Sequence, residues 1–138
     1  MMAEVSISRA LLKEMQTWIE GCMPEEACGL VVGNGSEVEE IIPITNHLHA
    51  PNEYSMDPGE LLQALESIDA GNRLLMGIFH SHPNGPEHPS ERDLQQRNYP
   101  EVSLWIWSKN GNEWRLMVFQ QGVNRCEPVR IVENINKN

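Results

Sequence analysis

Two imidazoles one residue apart, His80 and His82, open a loop that runs through Pro83, Gly85, Pro86 and Pro89 to Ser90 and Asp93. Neutral imidazoles and a carboxylate are good zinc ligands, and a set of three leaves a fourth tetrahedral position for water. That is the donor set of a catalytic metal site, whereas structural sites are closed by four protein ligands. The plainer reading, in which Ser90-Glu91-Arg92-Asp93 is only a capping box and the histidines are incidental, does not compete with ligation. Ser90 caps with its side-chain oxygen while Asp93 faces the metal.

Hydrolysis at such a centre needs a base beside the activated water. Glu26, in the acidic pair Glu25-Glu26, is the candidate, because the pair leads into Ala27-Cys28-Gly29-Leu30-Val31-Val32-Gly33, a short apolar run that reads as a buried strand. A carboxylate at the mouth of that strand is expected to be half buried. Burial raises its pKa toward the range of proton transfer and a neighbouring dication lowers it. Taken without the downstream histidines, the same pair reads as a solvated acidic turn.

The elements that must position these groups alternate between strand and helix. Leu74-Leu75-Met76-Gly77-Ile78-Phe79 reads as a buried strand, so His80 and His82 stand at or just past its end and, with a period of two, face the same side. Ser90 is expected to cap a helix beginning Glu91-Arg92-Asp93-Leu94. Upstream, a strand near residues 4–7 precedes a helix capped by Ser8, whose Leu11, Leu12, Met15, Trp18, Ile19 and Cys22 form an apolar stripe. Strands over 28–32 and 38–45 are joined by the hairpin-like Asn34-Gly35-Ser36. A second helix starts at Pro58-Gly59-Glu60, carries Leu61, Leu62, Leu65 and Ile68, and stops at Gly71-Asn72. Three further strands are expected over 102–107, 114–120 and 125–132. The expected class is α/β (α+β), a curved mixed β-sheet flanked by helices, with residues 1–138 forming one domain.

These residues carry a resemblance. Glu26-x-x-Gly29, then His80-x-His82, seven residues, and Ser90-x-x-Asp93 fill every position of the JAMM (MPN-positive) metalloprotease motif. With the segment from Tyr54 to Asp57 and the His-Ser-His-Pro wording, the resemblance spans most of residues 20–100. It implies an MPN/JAMM-like, cytidine-deaminase-like fold, one Zn2+ per chain on His80, His82 and Asp93, Glu26 as activator of the water, and Ser90 as a stabiliser of the oxyanion. The choice of Glu26 over Glu25 rests on the spacing to Gly29. Small stand-alone prokaryotic members resemble enzymes that release groups from the C-terminal Gly-Gly tail of ubiquitin-like sulfur-carrier proteins. The expected activity is therefore that of a zinc-dependent isopeptidase or peptidase, and the expected partner a ubiquitin-like carrier.

Composition narrows the class further. Twenty acidic against ten basic residues leave a net charge of −10, which argues against nucleic-acid phosphate as a partner. No apolar run is long enough to span a bilayer, and Met1-Met2-Ala3-Glu4-Val5-Ser6 has no basic segment leading into an apolar one, so a cytoplasmic location is expected. The three cysteines, Cys22, Cys28 and Cys126, lack C-x-x-C spacing and read as reduced thiols, Cys28 as a small core residue.

The other candidates are weaker. His47-Leu48-His49 repeats the H-x-H spacing without a matching carboxylate and reads as surface loop. His88, beside Pro89, reads as exposed. Trp105 and Trp107 read as one sheet face packed on a helix, not as a base-stacking platform. Two rival functions are a non-catalytic MPN scaffold, disfavoured by the complete ligand set, and a DNA-repair-associated relative, disfavoured by the acidic charge. A nucleoside deaminase is excluded because its H-x-E and P-C-x-x-C are absent.

Overall fold

The structure, a computed structural model, describes residues 5–90, 93, 102–119, 126–127 and 129–133. Its elements run β1 (Val5–Ser8), α1 (Arg9–Cys22), β2 (Cys28–Gly33), β3 (Val38–Ile44), α2 (Pro58–Ala70), β4 (Leu74–His82), β5 (Ser103–Asn110), β6 (Glu113–Phe119), β7 (Cys126–Glu127) and β8 (Val129–Val132). Among the described residues six strands form one sheet in the order β3-β2-β4-β5-β6-β7. Of these pairings that of β4 with β5 is parallel and the rest are antiparallel, so the sheet is mixed, as expected.

The helices begin where the sequence offers caps. Ser8 Oγ accepts the N–H of Leu11 at 3.1 Å, and Asp57 accepts that of Glu60 at 3.0 Å ahead of Pro58. Each helix then covers one face of the sheet. Met15 and Ile19 of α1 pack with Val31, Phe79, Trp105 and Trp107, while Ala64 and Ile68 of α2 pack with Cys28, Leu30, Val32 and Ile78. The tryptophans are therefore core, and Trp107 Nε1 donates to Met15 Sδ at 2.8 Å. Cys28 is also core: burial pushes its thiol up, and its Sγ lies 3.4 Å from the Ile44 carbonyl.

Alternation along β4 sends Phe79 to the α1 face and Ile78, His80 and His82 to the other. Phe79 and Trp105 are fully buried, and side chains of this size stabilise by about 2–3 kcal/mol each. This anchors the strand immediately before its two histidines. Gly29 permits the arrangement: it pairs with Phe79 across β2 and β4, and a Cβ there would lie 2.3 Å from the Phe79 ring.

One expectation is corrected. The strand expected over 125–132 is two strands in two sheets: β7 continues the main sheet against β6, whereas β8 pairs in parallel with β1. Pro128, which has no N–H to give a ladder, stands between them in sequence. The helix expected after Ser90 lies outside the described residues beyond its helical Asp93.

Candidate metal centre

The last three residues of β4 carry the histidines, within the strand and not beyond it. Their Nε2 atoms are 3.1 Å apart, and each is 3.1 Å from Asp93 Oδ2. Three such contacts cannot all be hydrogen bonds, because two Nε2 protons aimed at one carboxylate oxygen would also face each other. The spacing fits a shared cation instead: zinc bonds of 2.0–2.1 Å at a tetrahedral angle hold ligand atoms about 3.3 Å apart.

The surroundings prepare these atoms for a metal. His82 Nδ1 donates to the Pro86 carbonyl at 2.8 Å, which places its proton there and turns the Nε2 lone pair toward the cluster. His80 is wholly buried, its ring stacked on Tyr54 with centroids 4.6 Å apart. Burial lowers the His80 pKa, although Asp93 pulls the other way. At His82 the same penalty of burial is outweighed by Asp93 and the Pro86 carbonyl, and its pKa rises. Burial also works against Asp93, but the two histidines and the Ser90 N–H hold its carboxylate ionised, well below the usual range.

Ser90 and Asp93 close a reciprocal cap. Asp93 N donates to Ser90 Oγ at 3.0 Å, and Ser90 N donates to Asp93 Oδ2 at 2.9 Å. The Ser90 hydroxyl thus accepts from the backbone and keeps its own hydrogen to donate.

Glu26 arrives from a distant part of the chain. Its neighbour Ala27 is bonded twice to Ser81, the residue between the two histidines: Ala27 N donates to Ser81 Oγ at 2.8 Å and Ser81 N donates to Ala27 O at 3.0 Å. One ligating atom from each of Glu26, His80 and His82 lies within 4.8 Å of the others. Glu26 is only 4% exposed, not half buried as expected, and its Oε1 has no hydrogen-bond partner among the described residues. Burial pushes its carboxyl up to about 8, against the pull of His82 and with help from Asp93 and Glu53. A cavity of about 190 Å³ beside it is lined by Glu26, Pro51, Asn52, His82, Asn84, Gly85, Pro86 and Ser90.

All five residues singled out from the sequence therefore meet at one place. Glu25 does not: it is part-exposed and lies 3.1 Å from His49 Nδ1. His47, His49 and His88 are exposed, as read from the sequence. Sequence reasoning missed Ser81 and the stacking of Tyr54. A buried serine between two histidines carries no local signature that separates it from an ordinary polar residue.

The chain matches the family model described as prokaryotic homologs of the JAB domain over residues 8–119. The chain belongs to this prokaryotic JAB-domain family. It is 34% identical to the desampylase of Pyrococcus furiosus over 108 residues, 78% of this chain and 75% of that one. It is 37% identical to the probable TtuB-protein conjugate cleaving protease of Thermus thermophilus over 106 residues, covering 76% and 70%. A third relative, the CysO-cysteine peptidase of Mycobacterium tuberculosis, is 31% identical over 115 residues, 80% of this chain and 79% of that one. Among solved structures, a Desulfitobacterium hafniense protein superposes with a TM-score of 0.83 at 28% identity, covering 94% of both chains. A structure described as a JAMM metalloprotease-like zinc site in the proteasome and signalosome superposes with a TM-score of 0.60 at 21% identity, over 95% of this chain and 100% of that one, a likeness that shows the shared fold.

Proposed function

We propose that this JAB-domain chain is a zinc-dependent peptidase or isopeptidase that hydrolyses the bond after the C-terminal Gly-Gly of a ubiquitin-like sulfur-carrier protein. The observation that carries the reading is the placement of a buried carboxylate oxygen of Glu26, without a hydrogen-bond partner among the described residues, beside the His80, His82 and Asp93 cluster at the wall of an accessible cavity. The names of the relatives, a conjugate cleaving protease and a peptidase among them, support the same class of reaction and the same kind of partner.

In this reading His80, His82 and Asp93 would hold one zinc ion per chain. Zinc so bound would supply a Lewis acid and make a nearby water easier to deprotonate. Glu26 accepts the proton that the attacking water gives up and returns it to the leaving amine as the C–N bond breaks. Ser90 donates its free hydrogen to the oxygen that gains negative charge. The cavity between Pro51-Asn52 and Asn84-Gly85-Pro86 takes the tail, where glycine lets the backbone approach closely and a side chain would clash. The net negative charge suits a protein substrate over nucleic acid, and the setting we assign is the cytoplasm. Among the described residues no helix is long and apolar enough to cross a membrane.

The test is a ubiquitin-like carrier ending in Gly-Gly and joined to an amino acid or to a lysine, followed by intact mass. Cleavage after the second glycine is expected, with loss of cleavage on chelation and on replacing that glycine with valine. Equal rates on the valine tail would reject the Gly-Gly reading and leave a peptidase of broader taste. No cleavage of any tail by the zinc-loaded protein would reject the enzyme and favour a scaffold.

A further inference from the structure

The segment between β3 and α2, residues 45–57, folds back on itself. His47 N donates to Ser55 O at 2.7 Å, Asp57 N donates to Thr45 O at 3.0 Å, and Asn46 bridges to Met56 in antiparallel register. Inside this loop sits the side chain of Asn46, 6% exposed. Its Oδ1 accepts the N–H groups of Leu48 at 3.0 Å and Ser55 at 3.1 Å. Its Nδ2 donates to Glu53 O at 3.1 Å and, outside the loop, to Glu26 O at 3.0 Å. A second tie runs beside the last, since Glu26 N donates to Ala50 O at 2.8 Å. One buried amide thus spends its acceptor on the loop and shares its donors between the loop and the backbone of Glu26.

The loop also carries groups that face the site. Pro51 and Asn52 line the cavity opposite Asn84 and Pro86, and Tyr54 stacks on His80. The geometry points to Asn46 as a positioning residue for hydrolysis: it locks the cavity-lining loop and the Glu26 segment into one unit, so that the base and the tail-binding wall keep a fixed offset from the histidines of β4. This inference rests on the reading of Glu26 as the base. His80, His82 and Asp93 keep anchors outside this loop, the histidines within β4 and Asp93 on Ser90, although Tyr54 of the loop packs on the His80 ring. Removal of the amide should therefore spare metal binding and damage turnover.

Two substitutions divide the role. Asn46→Ala removes both halves of the network, whereas Asn46→Asp keeps an acceptor for Leu48 and Ser55 and loses the donor toward Glu26 and Glu53. Both variants are expected to bind zinc stoichiometrically and to lose about 10- to 100-fold in kcat, as sub-ångström to ångström misplacement of a reacting group does, with KM changed less. In amide exchange followed by NMR, the Glu26 N–H should exchange at least about tenfold faster in both variants, and the Leu48 and Ser55 N–H groups only in Asn46→Ala. Ser103→Ala is the control: it removes a serine that donates to Met76 O at 3.1 Å elsewhere in the sheet, and it should leave kcat and the Glu26 amide unchanged. The inference is overturned if both folded variants keep the wild-type kcat, if their loss of turnover tracks loss of zinc, or if exchange quickens in the loop while Glu26 keeps its protection. Should the wild-type protein cleave no Gly-Gly tail, the proposed function fails, and the exchange of the Glu26 amide still decides whether Asn46 couples the two segments.

Discussion

Ser81 and Ala27 exchange two hydrogen bonds, Ser81 Oγ accepting from Ala27 N at 2.8 Å and Ser81 N donating to Ala27 O at 3.0 Å. The residue between the two histidines is thereby fastened to the residue after Glu26, which registers Glu26 against His80 and His82. Ser81→Ala leaves a buried N–H without its acceptor, at a cost of about 1–3 kcal/mol. Expected outcomes are a lower melting temperature, retained zinc and a reduced kcat. An unchanged kcat in the folded variant would show that the backbone half of the pair suffices.

Metal content follows the donor set. His80→Ala, His82→Ala and Asp93→Ala should each abolish stoichiometric zinc in elemental analysis, because three ligands leave little redundancy. His47→Ala and His49→Ala, at exposed positions, should retain it. Normal zinc in the Asp93 variant would remove Asp93 from the set.

Glu26→Gln keeps the shape of the side chain and cannot take a proton. It should bind zinc normally and lose about 10²- to 10⁴-fold in kcat. Glu25→Gln, whose carboxylate lies against His49 at the surface, should change kcat little. Equal losses at the two positions would assign the proton transfer wrongly.

Protonation of Glu26 also enters stability. In the chelated protein its folded pKa of about 8 stands above the ordinary carboxylate value, so its contribution is fully present below about pH 4.5 and is lost as pH rises toward 8. Denaturation of the metal-free protein should therefore show wild type losing stability over that window relative to Glu26→Gln, which has no proton to release there. Parallel pH profiles for the two would mean that the carboxyl is ionised in the folded state throughout.

Much of this molecule is legible one segment at a time. The apolar run before His80, the alternation that puts His80 and His82 on one side, the caps at Ser8 and Ser90, and the hairpin at Asn34-Gly35-Ser36 all follow from local rules of period, capping and turn chemistry, and the structure keeps them. The ligand types and their spacing are likewise written in a short stretch, which is why the chemistry could be read before the fold. What local pattern could not decide is which strands become neighbours. Pairing of β2 with β4 brings Ala27 against Ser81 and leaves Glu26 only 4% exposed, and no property of Glu25-Glu26 distinguishes that burial from a solvated turn. The same holds for Asn46, whose backbone partners Leu48, Glu53, Ser55 and Glu26 come from two segments, and for Tyr54, which meets His80 across the gap between a loop and a strand. At the chain's end, residues 125–132 have the pattern of one strand, but partners on two sheets divide it. Side-chain period reports which face a residue takes; burial, pairing and the pKa of Glu26 are properties of what lies opposite, and only the tertiary structure supplies that.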